Sequence, residues 1–375
     1  MEFTHCSSSS PTPACAVESR DPNGSCVEGE TVKFDTYGFG RRLRDVGPLA
    51  VEAARLGFST IWFTEAGHNP FLPCATATEA SRGNVGVGTS IAVAFPRSPM
   101  VTAQIAWDLA DQSRGNFQLG LGTQVKAHVQ RRFSADFSRP VARMREYVLA
   151  LRAIFRAFQG EEKLAFSGDF YSFSLLTDFF SPGSIDVPDV PIQIAGVNTG
   201  LAKLAGEVCD GFHVHPFHSR EYLADVVRPA VEAGAHKAGR SIDDVAFIAP
   251  VFIIVGDTEE EQAALRDAAR RQLAFYASTP TYEPVLAHHG YADAAEELRR
   301  LMRAGDLDAM ASVFTDDMLE PYTVTASWDE LPRVLLARYD GVADRILSYL
   351  EPGAWPTSPQ AAERWGTVAS ALQET

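Results

Sequence analysis

The sequence predicts an α/β protein built as a (β/α)8 TIM barrel with insertions after strands four and seven. Three observations lead there. From Val32 onward, short apolar runs alternate with helix-period segments, eight times along the chain. Several runs, notably 190–195 and 248–255, are almost continuously apolar, as strands of a parallel sheet buried on both faces are. The 375 residues, 46% of them hydrophobic and 22% charged, are ample for a large core. Regular alternation at this length allows a barrel or a doubly wound sheet, and eight units favour the barrel.

Taken in order, VKFDTYGF is the first strand, and Leu49, Ala53 and Leu56 mark the inner stripe of the helix after it. STIWFTE is the second strand, followed by a helix from about Leu72 to Ala80. NVGVGTSIAV is the third, with a helix from Met100 to Leu109. NFQLGLG is the fourth, after which a long amphipathic helix aligns Val148, Leu151, Ile154, Phe155 and Phe158. VPIQIAG is the fifth strand, its helix opening at Asn198–Thr199. GFHVHPF is the sixth, with a helix from Arg220 to Ala238. VAFIAPVFIIVG is the seventh, and Asp257 with Glu260 three residues on reads as a capping box. YTVTAS reads as the eighth strand and Leu331 to Leu347 as the last helix. Residues 123–140, 159–189 and the helical stretch 281–315 are too long for connectors, and excursions of this size mark a binding face.

Charge excludes one class of partner. Thirty-three basic residues against 48 acidic ones give −15, whereas a nucleic-acid backbone calls for a basic face. No apolar run approaches the roughly 20 residues that span a bilayer. Cys6, Cys15 and Cys26 lie near the start and Cys74 and Cys209 far apart in the body, which is neither a disulfide framework nor a zinc spacing. Residues 1–31, rich in Ser and Pro without an apolar stretch, read as the disordered tail of a cytoplasmic protein. Residues 32–350 then form the barrel domain and 351–375 a C-terminal extension.

In a barrel the site lies at the carboxyl ends of the strands. Glu65, His68 and Asn69 follow strand two; Ser90 and the loop Phe95–Pro96–Arg97–Ser98–Pro99 follow strand three. Thr123, Gln124, Lys126, His128, Arg131 and Arg132 follow strand four, and Gly196, Asn198 and Thr199 follow strand five. With His213, His215 and His218 at strand six, five of the nine histidines fall at one end of the barrel. His213 and His215 share a strand face, but no complementary His/Asp set stands at other strand ends, so no metal site is expected. Six basic residues between Lys126 and Arg145 against the single acid Asp136 make an anion site at the mouth, with Arg143 and Arg145 on the solvated face of a helix. Gly196 to Gly200 delivers a helix amino end suited to phosphate; Asn198 or Thr199 also serves as a plain N-cap there. GLGT at 120–123 lacks the third glycine of a dinucleotide fingerprint.

These blocks together resemble the bacterial luciferase-like superfamily, and within it the F420-dependent oxidoreductases. The resemblance is carried by TEAGHNPFLP (64–73), AFPRSP (94–99), LGLGTQVKAHVQRRF (119–133) and RPVARMREYVLALRAIF (139–155), with AGVNTGLAKLAGEVCDGF (195–212), VHPFH (214–218) and WDELPRVLLARYDGVADRI (328–346). It implies a barrel that binds coenzyme F420, or alternatively FMN, at its carboxyl end. The ring would rest against a non-proline cis peptide at Ser90–Ile91, and the phosphate side would lie by Gly122–Thr123 and by Ala195, Gly196, Val197, Asn198 and Thr199. His68 is the expected proton-transfer group, with Glu65 orienting it or acting in its place. Many relatives carry the histidine directly after that glutamate, where this chain has Ala66. Gln124, Lys126, His128, Arg131, Arg132, His215 and His218 would line the substrate or anion pocket. A small-molecule substrate and a homodimer are implied, with either hydride transfer or, in the FMN alternative, monooxygenation with reduced flavin and O2.

Overall fold

Eight parallel strands close into a ring in the computed structural model, which describes residues 32–38, 42–349 and 358–373. They are β1 (Lys33–Tyr37), β2 (Thr60–Phe63), β3 (Gly86–Thr89) and β4 (Phe117–Gly122), then β5 (Ile192–Gly196), β6 (Gly211–Val214), β7 (Ala246–Val255) and β8 (Arg345–Tyr349). Each pairs with its successor, and β8 returns to β1 with Ile346 opposite Phe34. Helices α1 (Leu43–Arg55), α2 (Phe71–Ser81) and α3 (Pro99–Gln112) follow the first three strands. After β4 come α4 (Lys126–Arg131) and the long α5 (Pro140–Gln159); after β5 comes α6 (Thr199–Val208). No helix among the described residues is long and apolar enough to cross a membrane. The predicted tail, 1–31, lies outside the described residues.

The barrel class is as the sequence predicts, but its last strand is not. Thr323–Ala326, read as strand eight, pairs with the outer end of β7 beyond the ring, Ile253 opposite Val324. The eighth ring strand is Arg345–Tyr349, which the sequence reading placed at the end of a helix. The helix there stops at Tyr339, and the chain turns through Gly341, whose φ of 69° suits glycine, into the strand. The seventh strand is long enough for three partners. It meets β6 near Phe247, β8 from Ile248 to Phe252 and the extra strand from Phe252 to Val255.

The capping box also shifts by one residue. Thr258 is the N-cap, its hydroxyl accepting from the Glu261 N–H at 3.3 Å, while the Glu261 carboxylate accepts from Asp257 N–H at 2.7 Å. That helix runs Glu259–Ala277, and the helical insertion beyond it begins with the 3-10 turn Pro280–Tyr282. Part of the C-terminal extension, Pro359–Gln373, forms the outer helix after β8, with Trp365 stacked on Phe34 of β1 at 6.1 Å.

The main core lies between strands and helices. Inside the ring sits a smaller apolar set, Trp62, Ile248 and Leu347. Next to it is a buried ion pair between the first and last strands: Arg345 donates twice to Asp35 at 2.7 Å and once to Thr60 at 2.6 Å. The Trp62 indole N–H completes the carboxylate's shell at 2.9 Å. A charge pair this dry is tolerable only because every oxygen and N–H that matters is bonded. Strands three and four approach so closely that a Cβ on Gly120 would stand 1.9 Å from the Thr89 carbonyl oxygen.

Candidate active site

The carboxyl end of the ring begins at β3. Ser90–Ile91, just past its last residue, is a cis peptide without proline, at the position the resemblance implied. Ile91 packs directly over Gly122 of β4, where a Cβ would come within 2.5 Å of its Cδ1. Glycine at 122 therefore lets the third and fourth strand ends meet, bringing together two predicted cofactor positions.

Ser90 is buried and belongs to a hydrogen-bond chain whose direction can be worked out. The Gln193 amide donates to Gln118 Oε1 at 2.6 Å, so its own oxygen faces His213 Nε2 at 2.7 Å and accepts from it. Burial, with a further push from Arg345, lowers the pKa of His213 to about 3, so its ring is neutral. The proton sits on Nε2, and Nδ1 accepts from the Ser90 hydroxyl at 3.4 Å. Ser90 Oγ is then free to accept from Tyr37 O–H at 2.9 Å. The chain from Tyr37 to Gln118 crosses the ring interior, with Trp62 edge-on to the His213 ring at 4.7 Å. Both His213 nitrogens are thus occupied by protein groups, and among the described residues no cluster of three metal-ligating side chains occurs.

The predicted pairing of Glu65 with His68 does not form. Glu65 is buried, and Arg97 grips it bidentately, 2.7 Å to each oxygen, while the Val93 N–H donates to Oε2 at 2.7 Å. Its own N–H donates to the Ile91 carbonyl at 3.2 Å. Glu65 thus fastens the loop after β2 to the backbone on both sides of Ala92, to Ile91 by its N–H and to Val93 by its carboxylate, and both carboxylate oxygens are engaged. His68 is exposed on the same loop, with no hydrogen bond to any described residue. The sequence reading places Arg97 at the site end of the barrel but gives it no role. Its signal was a single basic residue inside AFPRSP, next to a loop carrying an acid.

The basic stretch after β4 divides in two. Arg139 pairs with Asp169, Arg143 with Asp136 and Arg145 with Glu207, so half of the local charge is neutralised within the fold. Lys126 and Arg131 on α4 are exposed and pair with no described acid; His128 is exposed beside them. Arg132 donates to the Ala66 carbonyl, tying α4 to the loop after β2. Gln124 turns the chain with φ 56°, its side-chain oxygen accepting from Val125 N–H at 2.9 Å, and Thr123 before it is half-buried.

Next to this basic group, β5 ends at Ala195–Gly196, and Val197 and Asn198 lead into α6. Asn198 makes no side-chain cap, and its carbonyl accepts from Leu201 and Ala202. The N–H groups of Thr199 and Gly200 precede the first intrahelical donors, a donor set that fits a phosphate.

Strand six supplies the other side. His218 Nδ1 donates to the His215 carbonyl at 2.9 Å and Nε2 accepts from Tyr339 O–H at 3.2 Å, so this histidine, buried and pushed down to about 4, fastens the loop rather than lining the mouth. His215 is half-buried at the mouth. Its Nδ1 accepts from the Phe217 N–H at 3.1 Å, and its ring stacks on Tyr282 at 4.4 Å with Tyr276 edge-on at 4.8 Å.

Comparison with known proteins agrees with the barrel fold and gives the family. The sequence model of the luciferase-like monooxygenase family matches residues 26–345. An uncharacterised protein of Mycobacterium tuberculosis is 41% identical over 82% of this chain and 90% of its own length. The F420-dependent glucose-6-phosphate dehydrogenase of Intrasporangium calvum is 30% identical over 54% of this chain and 63% of its own. Among solved structures, the coenzyme F420-dependent tetrahydromethanopterin reductase of Methanopyrus kandleri superposes with a TM-score of 0.71, covering 90% of this chain and 98% of that one at 19% identity. The chain is an oxidoreductase that belongs to the luciferase-like monooxygenase family.

Proposed function

We propose that this protein binds coenzyme F420 at the carboxyl end of the barrel and transfers a hydride to or from a small organic substrate. The observation that carries the reading is the uncapped amino end of α6 after β5, separated from the Ser90–Ile91 peptide after β3 only by β4, whose loop leads to Lys126 and Arg131, in a chain with an F420-dependent dehydrogenase among its relatives. Thr199, Gly200 and Asn198 would hold the phosphate, with Gly122–Thr123 and Ala195–Val197 lining its approach. Ser90 and Ile91 would support the ring. When bound, the cofactor supplies a two-electron hydride carrier; the protein orients it and handles the accompanying proton.

In this reading His68 takes or gives that proton, because its ring is exposed on the loop after β2 and engaged by no described residue. Glu65 is a positioning residue through Arg97. Lys126, His128, Arg131, Arg132 and Gln124 meet anionic groups, and His215 faces the substrate. The enzyme works as a cytoplasmic homodimer, as its superfamily implies.

FMN is the alternative, since it offers a phosphate to the same donors and the family takes its name from monooxygenases. Parallel titration with F420 and FMN, following cofactor fluorescence and thermal stability, decides between them, because a ligand bound only by the folded state must raise its stability. Micromolar binding of F420 alone supports the reading. Preference for FMN overturns it in favour of an oxygenase, and binding of neither overturns both.

A further inference from the structure

The mouth of the barrel is chemically two-sided, and the side opposite the basic helix is built from rings. His215 lies between Tyr282, stacked at 4.4 Å, and Tyr276, edge-on at 4.8 Å. The Tyr276 hydroxyl bonds that of Tyr349 at 2.7 Å. Tyr349 in turn sets its ring edge-on to Tyr37 at 5.3 Å and to Phe252 at 4.9 Å. Tyr37 closes the wall at Ser90, beside the cis peptide. Tyr37, His215, Tyr276, Tyr282 and Tyr349 are each half-buried, so each keeps part of its surface accessible.

The polar groups on this wall are neutral. Burial raises the pKa of all four tyrosines, which keeps their hydroxyls protonated. His215 is pushed down to about 3 by burial and then by His218, so it too is uncharged. Its Nδ1 accepts from Phe217, which places its proton on Nε2. That N–H has no acceptor among the described residues. No described Lys, Arg, Asp or Glu makes a hydrogen bond or ion pair with any of the five side chains. A charged substrate group seated here would be stripped of water with no counter-charge, whereas a carbonyl or hydroxyl oxygen would meet the waiting N–H.

We infer that the ring-lined half of the mouth selects a neutral substrate, a ketone or alcohol on a flat or alicyclic hydrocarbon body, with His215 Nε2–H donating to its oxygen and Tyr282 and Tyr276 flanking it. The inference rests on the oxidoreductase reading for its meaning as a substrate site. It separates this chain from relatives that act on sugar phosphates, because the free basic side chains, Lys126 and Arg131, belong to the other half.

Three ring probes of matched shape test it: 2-naphthol, naphthalene and 2-naphthoate, each titrated at pH 7 by its own fluorescence into the full-length protein, with and without F420. The expected order is 2-naphthol bound at least ten-fold tighter than 2-naphthoate and measurably tighter than naphthalene. His215→Phe keeps the stack and loses the preference for 2-naphthol over naphthalene. Tyr282→Ala weakens all neutral probes at least five-fold while far-ultraviolet circular dichroism stays native. Equal or tighter binding of 2-naphthoate, or an unchanged preference in His215→Phe, overturns the inference. F420 affinity read in the same samples separates the two readings. Loss of F420 binding with the naphthol preference intact overturns the cofactor reading and supports the neutral pocket, whereas F420 binding without that preference overturns the pocket alone.

Discussion

Replacing Arg97 with methionine removes the guanidinium that holds both oxygens of Glu65 and keeps most of the apolar stem. The side chains are 15% and 5% exposed, so water cannot replace the lost partner in full. Breaking a buried pair from one side costs about 3–5 kcal/mol. The Val93 N–H still holds Oε2, which puts the expectation at the lower end, about 3 kcal/mol. The double variant Arg97→Met with Glu65→Gln leaves a neutral amide that Val93 can still satisfy. It should cost less than Arg97→Met alone, about 1–2 kcal/mol, because no unpaired carboxylate remains. Urea denaturation followed by tryptophan fluorescence gives both values from the midpoint and slope. The reasoning fails if Arg97→Met costs under about 1 kcal/mol, or if the double variant is the less stable of the two. The same pair fastens the loop to Val93, two residues past the cis peptide, so Arg97→Met should also weaken F420 binding.

Further expectations concern protons, packing and charge. The folded state holds His213, His215 and His218 at about 3, 3 and 4, below their unfolded value of about 6.5. Below pH 6.5 the unfolded chain therefore binds protons that the folded chain refuses, so their contribution to stability falls from about pH 6.5 toward 4 and is flat above. His218→Gln should make the slope of melting temperature between pH 4.5 and 6.5 shallower than in the parent, and an identical slope would count against the buried neutral imidazole. Gly120→Ala drives a Cβ into the Thr89 carbonyl and should leave little folded protein, whereas Gly160→Ala, with open space around it, should cost only about 1 kcal/mol; circular dichroism of the two compares them. Lys126→Glu with Arg131→Glu should weaken F420 binding several-fold at low salt, with the deficit shrinking at 0.5 M NaCl, since exposed charges are screened; a salt-independent deficit would place these residues outside the anion path.

Much of the fold was readable because buried parallel strands carry their signal locally. Ile61, Val87, Leu119, Ile192 and Phe247 sit inside apolar runs with nothing else to be. The eighth strand was not readable for the opposite reason. RILSY follows a helix with only a short turn between, and its apolar spacing continues the helical one. TVTA looks like a ring strand by composition, but which part of the long seventh strand it pairs with depends on positions that no window contains. At the site, the histidines drew attention because imidazole is rare, and the resemblance supplied Ser90–Ile91. Tyr37, Tyr276, Tyr282 and Tyr349 escaped notice because they come from four separate elements and an isolated tyrosine reads as core. The Glu65–Arg97 brace escaped because a carboxylate near a histidine suggests chemistry before it suggests fastening.

The pair Asp35 and Arg345 lies 310 residues apart in sequence and shares one dry interior. A chain emerging from the ribosome exposes Asp35 early and receives its counter-charge almost last. Until then the first strand cannot sink into a finished ring without stranding a carboxylate. Arrival of the final strand supplies the counter-charge and closes the ring between β7 and β1. A product stopped short of residue 345 keeps two unpaired sheet edges, on β1 and β7, and a wet core, which makes it easy prey for proteases that the completed chain resists. The molecule thus carries, in one ion pair, its own check that translation has reached the end of the barrel.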